Sequence, residues 1–203
     1  MINKLEYTCA PILLCKEKYM AFIDNFKPTW MVDSIYNVTP DELEEHQFTG
    51  VIADLDNTLI AWDNPEGTEI TIKWIRELKN NNIPLVILSN NSYRRIAPVA
   101  KALQIKFVHR GLKPLPYKFE RALNLLGMDK ENVVMVGDQV LTDILGANLV
   151  DLESVLVKPI ATTDAAVTRL NRKVEKKILN RLMRNDSNMK WRHSLNEPIK
   201  PKN

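Results

Sequence analysis

The chain predicts a parallel α/β fold, with a central sheet covered by helices on both faces. Three observations carry that reading. Short, largely apolar runs of strand length recur from Gly50 onward, at Val51–Leu55, Pro84–Leu88, Lys106–Val108, Val133–Val136 and Ser154–Val157. Amphipathic stretches of helical length separate them, approximately Glu69–Asn81, Ser92–Leu103, Tyr117–Leu126 and Leu141–Asn148. Strands that alternate with helices imply βαβ units and a parallel sheet buried on both faces. In such a sheet a ligand sits beyond the carboxyl ends of the strands.

Taken in order, Lys16–Phe26 places Tyr19, Met20, Phe22, Ile23 and Phe26 at helical spacing and suggests a short amphipathic helix. A turn at Pro28 follows. Thr39-Pro40-Asp41-Glu42 opens another short helix, with an N-cap hydroxyl, proline at the first position and acids in the first turn. The strands and helices of the sheet then run from Gly50 to Val157. Thr163–Arg184 reads as one helix, with an apolar stripe of Val167, Leu170, Val174, Ile178 and Leu182 under a basic coat. The stretch from Asn185 to Asn203 is polar, with two prolines and little to bury, and is expected to be a flexible tail. The chain thus divides into an N-terminal helical extension packing on the core (1–46), the α/β domain (47–184) and the tail (185–203).

Composition agrees. The 203 residues are 45% hydrophobic and 26% charged, the balance of a soluble globular domain large enough to bury a core. The net charge of +3 is unevenly spread: from Lys158 onward stand 12 Lys/Arg against 4 Asp/Glu, so the preceding part is slightly acidic. An anionic membrane or a polyanion could read that asymmetry. Nucleic acid is the poorer candidate, since Trp191 is the one aromatic accompanying the basic end. Cys9 and Cys15 lack redox or zinc spacing and read as reduced thiols. The apolar run between them is too short to span a bilayer and makes a poor signal peptide. A cytoplasmic protein is expected, with peripheral contact at the inner face of the membrane as an option.

The polar residues gather where the strands end. Asp54-Leu55-Asp56-Asn57-Thr58 closes the first run. Two carboxylates that close cost free energy unless a cation or proton compensates. An all-oxygen cluster without His or Cys suits magnesium, a hard ion that keeps water and coordinates phosphate. Alone, the string is also compatible with a surface turn. Gly137-Asp138-Gln139 closes the fourth run, with Asp143 one helical turn on. Asp138 reads as a further ligand or as a helix N-cap. Ser89, with the backbone N–H groups of Asn90 and Asn91 at a helix start, makes an anion site or a helix cap. Lys113, before Pro114, is placed to neutralise phosphate or to stand in solvent, with Lys118, inside the predicted helix, as the competing choice.

Together these strings resemble the haloacid dehalogenase-like phosphatases, and in more detail the YqeG-like family of subclass IIIA. The matching segments are Asp54–Leu59, Ser89-Asn90-Asn91, Lys113-Pro114, Gly137-Asp138-Gln139 with Leu141-Thr142-Asp143, and Arg169-Leu170-Asn171-Arg172. The resemblance covers roughly 27–184. It implies a HAD-like, Rossmann-like three-layer sandwich in which Asp54 attacks phosphorus and Asp56 serves as acid and base. Ser89, Asn90 and Lys113 would bind the phosphoryl oxygens. Mg2+ would be held by Asp54, the backbone carbonyl of Asp56 and Asp138, with Thr58 and Asp143 in support.

The intervals between Asp56, Ser89 and Lys113 leave no room for a large cap domain, so an open site is expected. The resemblance suggests a lipid-borne phosphate ester, phosphatidylglycerophosphate, as substrate in phospholipid synthesis. The basic helix 163–184 would suit an anionic bilayer or simply pack on the domain. A small soluble phosphomonoester, such as a sugar phosphate or nucleotide, is the alternative substrate. A phosphate-sensing module without catalysis is the alternative from another class, and intact Asp54 and Asp56 speak against it.

Overall fold

The structure, a computed structural model, describes residues 22–61, 68–161, 166–195 and 198–199, with the backbone alone at 166–170. Six strands form one parallel sheet: β1 (Trp30–Val32), β2 (Gly50–Ala53), β3 (Leu85–Leu88), β4 (Lys106–Val108), β5 (Val133–Gly137) and β6 (Glu153–Val157). Their order across the sheet is β1-β6-β5-β2-β3-β4, every pair parallel. The helices are α1 (Pro40–Glu45), α2 (Glu69–Asn80), α3 (Tyr93–Leu103), α4 (Pro116–Leu126), α5 (Leu145–Asn148) and α6 (Ala166–Asn185).

Both faces of the sheet are buried, and the strands show why. Successive side chains point to opposite faces. Val51 and Ala53 of β2 enter one apolar cluster with Trp30, Trp74 and Val136, whereas Ile52 enters the other with Val86, Met135 and Phe119. Near-continuous apolar runs therefore follow from burial on two sides. The chain steps outward from β2 to β3 and β4, then returns to β5 on the far side of β2. That reversal is a switch point between β2 and β5, and it opens a crevice at their carboxyl ends.

Local signals set the helix ends. Thr39 and Glu42 form a reciprocal capping box with Pro40 at the first position, so α1 starts as the sequence requires. Gly127, at φ +71°, ends α4 in the left-handed conformation that glycine adopts without penalty. The sequence expects one helix over Leu141–Asn148. Here the chain makes a π turn over Val140–Ile144 before α5.

Two readings need correction. The extension over 1–46 is not helical throughout: Trp30–Val32 is an edge strand paired with β6, fully buried. Three residues are too few to show a period. The tail is not loosely attached over its described residues. Arg192 bridges to β1, donating to the Met31 carbonyl (2.9 Å) and accepting from the Asp33 N–H (2.9 Å). Met189, Leu195 and Ile199 are buried, and the Leu195 N–H donates to Glu42 (3.0 Å). Single apolar residues in a polar stretch carry no periodic signal, yet Met189 and Ile199 join the apolar cluster of Met31, and Leu195 that of Trp30. Of the expected helix at 16–26, only the last turn lies within the described residues, and Cys9 and Cys15 lie outside them.

On α6, Ile178, Leu179, Leu182 and Met183 pack with Phe26, Val140 and Ile144. Lys173, Lys176, Lys177, Arg181 and Arg184 face outward. Among the described residues no helix is long and apolar enough to cross a membrane.

Candidate active site

Register brings the acids together. Ala53 of β2 pairs with Val136 of β5, and the Asp54 N–H continues the ladder to the Val136 carbonyl (2.9 Å). The next residues on the two strands are therefore Asp54 and, past Gly137, Asp138. Asp143 reaches back from the π turn. Carboxylate oxygens of Asp54, Asp138 and Asp143 lie within 4.8 Å of one another, all buried.

Each acid is held. Lys113 Nζ, itself buried, contacts Asp54 Oδ1 at 2.5 Å, Asp143 Oδ1 at 2.6 Å and the Leu88 carbonyl at 2.8 Å. Asp143 Oδ2 accepts the Gln139 N–H (3.0 Å). The Thr58 hydroxyl donates to Asp138 Oδ1 (3.1 Å). Arg172, from α6, pairs with Asp138 Oδ2 and donates to the Asp138 carbonyl (2.7 Å). Glu175, one turn along, accepts the Leu141 N–H (3.0 Å) and lies 3.4 Å from Arg172. The C-terminal helix thus clamps the loop that follows β5.

Asp56 stands apart from that cluster. Asn91 Nδ2 donates to its Oδ2 (2.6 Å), while Arg95 donates twice to its Oδ1, from Nε (3.1 Å) and Nη2 (2.6 Å). The turn between the two acids and α2 is fixed from several sides. Asn57 takes a left-handed φ of 65°, which an asparagine tolerates. The Leu59 and Ile60 N–H groups both donate to the Leu55 carbonyl (3.0 Å). Tyr36 and Thr71 donate to the Leu59 carbonyl, at 2.8 and 3.2 Å.

Ser89 ends β3, and its hydroxyl accepts the Asn91 N–H (3.2 Å). The Asn90 side chain grips the backbone of Lys113: Oδ1 accepts its N–H (2.7 Å) and Nδ2 donates to its carbonyl (3.3 Å). Asn90 thereby fixes the lysine loop against the end of β3.

Burial and crowding shape the charges. Burial pushes the Asp54 carboxyl well above its usual range; Lys113 pulls it back down, and Asp143 and Asp138 raise it further. Asp138 is pushed up to about 6 by burial, against the pull of Arg172. Burial opposes the charge on Lys113, yet Asp143 and Asp54 hold its pKa above the ordinary lysine value. Three crowded carboxylates, two from neighbouring strand ends and one from the π turn, all oxygen donors, fit a hard divalent cation.

An acidic cluster and a buried lysine at the switch point of a parallel sheet make the arrangement of a hydrolase site. The family model for haloacid dehalogenase-like hydrolase matches residues 2–151. The chain is 42% identical over 159 residues to "Probable phosphatase YqeG" of Bacillus subtilis, across 78% of this chain and 92% of that protein. It therefore belongs to the haloacid dehalogenase-like hydrolases, and stands among them with the YqeG-like phosphatases. Similar solved structures include an uncharacterized protein from Listeria monocytogenes serotype 4b, at 20% identity and TM-score 0.46 over 62% of this chain and 99% of that one. Another is the cobalt-bound deoxy-D-mannose-octulosonate 8-phosphate phosphatase from Haemophilus influenzae, at 17% identity and TM-score 0.44 over 72% and 94%.

Direct contacts gather Asp54, Asp138, Asp143, Lys113 and Thr58; Asn90 is tied to the backbone of Lys113 and Ser89 to the N–H of Asn91, and Asp56 stands to the side. Arg95, Glu175 and the Asn91 side chain escaped the sequence reading, and Arg172 entered it as part of the basic coat of α6 and of a matching string, without a role in the site. A signal for the clamp existed: Glu175 is the one acid in the otherwise basic α6.

Proposed function

We propose that the chain is a magnesium-dependent phosphatase that opens phosphate monoesters through a phosphoryl-aspartate on Asp54. The observation that carries this reading is the buried Asp54 carboxylate, 2.5 Å from the lysine that can hold the charge of the arriving group.

The roles follow from position. Asp54 attacks phosphorus, as carboxylate nucleophiles do in covalent catalysis. Asp56, beside the crevice, protonates the departing alcohol and then takes the proton of the hydrolytic water. All three protons of Lys113 already have acceptors, so contact with a phosphoryl oxygen exchanges that oxygen for Asp54. The exchange frees the nucleophile as the substrate seats. The Ser89 hydroxyl and the N–H of Asn90 steady the other oxygens. Asp54, the carbonyl of Asp56 and Asp138 would hold Mg2+, with Asp143 and Thr58 in support. When bound, the ion neutralises the phosphoryl charge.

The substrate we favour is lipid-borne, as phosphatidylglycerophosphate would be in phospholipid synthesis. Tyr93, Leu112, Leu115, Tyr117 and Ile160 are exposed, and each lies on a helix start or loop at the carboxyl ends of the strands. A patch of that kind around a polar crevice favours a substrate with apolar surroundings. Of the α6 stripe, Ile178 and Leu182 are used in packing whereas Val174 is exposed, so the outward lysines and arginines, with Val174 among them, are what would meet anionic headgroups.

The test uses a chromogenic phosphate monoester with the parent and Asp54→Asn, in magnesium and after chelation. The expected result is turnover by the parent in magnesium alone, and none by the variant. Equal turnover in both proteins would remove Asp54 from the chemistry.

A further inference from the structure

Among the described residues seven non-glycine positions hold a left-handed φ, and six of them are polar: Gln47, Asn57, Asn82, Gln104, Arg110 and Asp151. The seventh is Leu112, at φ 45°. A branched apolar side chain is strained in that region, where asparagine or glycine is tolerated.

The turn itself has a purpose, since it delivers Lys113 to the crevice. The Arg110 N–H donates to the Asn91 carbonyl (2.8 Å) and the Gly111 N–H to the Ser89 carbonyl (2.8 Å), while the Asn90 side chain grips Lys113. All of these contacts use the backbone of the loop, so an asparagine at 112 would make the same turn with less strain. The fold does not bury the leucine either, for it is 55% exposed. Strain of this kind marks a residue whose side chain serves something outside its own packing.

The neighbours extend the same surface. Leu115 and Tyr117 are exposed, and so is Tyr93, whose ring is braced on Phe107 and His109 at 5.7 and 5.5 Å. All flank the site: Leu112 adjoins Lys113, and Tyr93 stands two residues from Asn91, which holds Asp56. Arg94 and Arg110 are exposed beside them, and Lys118 Nζ lies 5.2 Å from the centre of the Tyr117 ring. Segment 109–119 contains no acid. Aliphatic groups held outward, tyrosines with a wet end and cations without acids match the interface of an anionic bilayer. A protein seated on this rim would cover the crevice, whereas a bilayer would feed it.

We propose that Leu112, Leu115, Tyr93 and Tyr117 form a docking rim that enters the surface of an anionic bilayer and sets the crevice on its headgroups. The proposal rests on the lipid-borne substrate favoured above and names the surface that reaches it: the lysine loop enters the bilayer, and α6 does not.

The experiment floats the parent, Leu112→Asn, Leu115→Ser and the double variant with vesicles of phosphatidylglycerol or of phosphatidylcholine, at low and high salt. The parent should prefer phosphatidylglycerol. Each single change should weaken that binding by about 10-fold and the pair by about 10²-fold, at both salt concentrations. Leu112→Asn should melt at or above the parental midpoint, because the turn loses its strain. A lower midpoint would show that the leucine serves the fold and would overturn the proposal. So would undiminished binding in the double variant, which would leave the docking to α6. Flotation reads no turnover. A parent that hydrolyses phosphate esters but binds no vesicle would overturn the rim and leave the phosphatase reading standing; one that floats as described but hydrolyses no ester would support the rim and sink that reading.

Discussion

A single methyl group at Gly137 tests the packing of the crevice. Gly137 is the last residue of β5, and an added Cβ would lie 2.5 Å from the Asp143 Cβ and closer still to its carboxylate. Ordinary contact begins at 3.4 Å and Oδ2 would lie at 2.3 Å, so the Asp143 carboxylate must retreat by about 1.1 Å, into the range that disturbs packed cores. The movement is opposed from two sides. Asp143 Oδ1 is 2.6 Å from Lys113 and Oδ2 accepts the Gln139 N–H at 3.0 Å; a retreat of that size stretches both contacts to roughly 3.5 Å or more, beyond good hydrogen bonding. Gly137→Ala should therefore cost about 1–3 kcal/mol in urea unfolding, as overpacking does. Because Asp143 holds the lysine beside Asp54, kcat/KM for a chromogenic ester should fall by about 10²-fold, the scale of an ångström misplacement. Gly127→Ala is the control. At φ +71° with nothing within 4 Å, it should cost roughly 1 kcal/mol of backbone strain and leave activity alone. Parental stability and turnover in Gly137→Ala would mean that Asp143 does not lie against the strand end.

Asp56→Asn should lower kcat by about 10²–10⁴-fold with the fold unchanged by circular dichroism; a loss below about threefold would take acid–base work away from Asp56. Leu195→Ala, in the tail segment packed against the core cluster of Trp30, should cost about 2–5 kcal/mol in urea unfolding, whereas a loosely attached tail would register almost nothing. Glu175, with its carboxyl raised by burial from 4.5 to about 7, keeps its proton in the folded state at pH values where the unfolded chain has lost it. Stability should therefore fall as pH rises from about 4.5 through about 7. In Glu175→Gln that part of the slope should vanish, and an unchanged slope would show that the carboxyl is not buried as described.

The strand–helix alternation was legible because burial on two faces writes itself as unbroken apolar runs, and because each strand end carries polar residues. Asp54 and Asp138 could be assigned to one crevice from those ends alone. What stayed hidden depends on contacts distant in sequence. Arg172 looks like any other cation of a basic helix until α6 folds back to place it on Asp138, 34 residues away. Arg95 reads as a surface residue of α3 until β2 and β3 pair and bring Asp56 alongside. The β1 edge was missed for a related reason: Trp30–Val32 is short, and its partners are β6 and Arg192 from the far end of the chain.

In the proposed reaction phosphorus becomes bonded to one particular carboxylate, that of Asp54. Acid-quenched parent, mixed briefly with a phosphate monoester and magnesium, can be digested and its peptides weighed. A phosphoryl group should appear on the peptide that holds Asp54, be discharged by hydroxylamine, and be missing from Asp54→Asn. A phosphoryl group on another residue during turnover, or undiminished turnover with none on Asp54, would contradict the account.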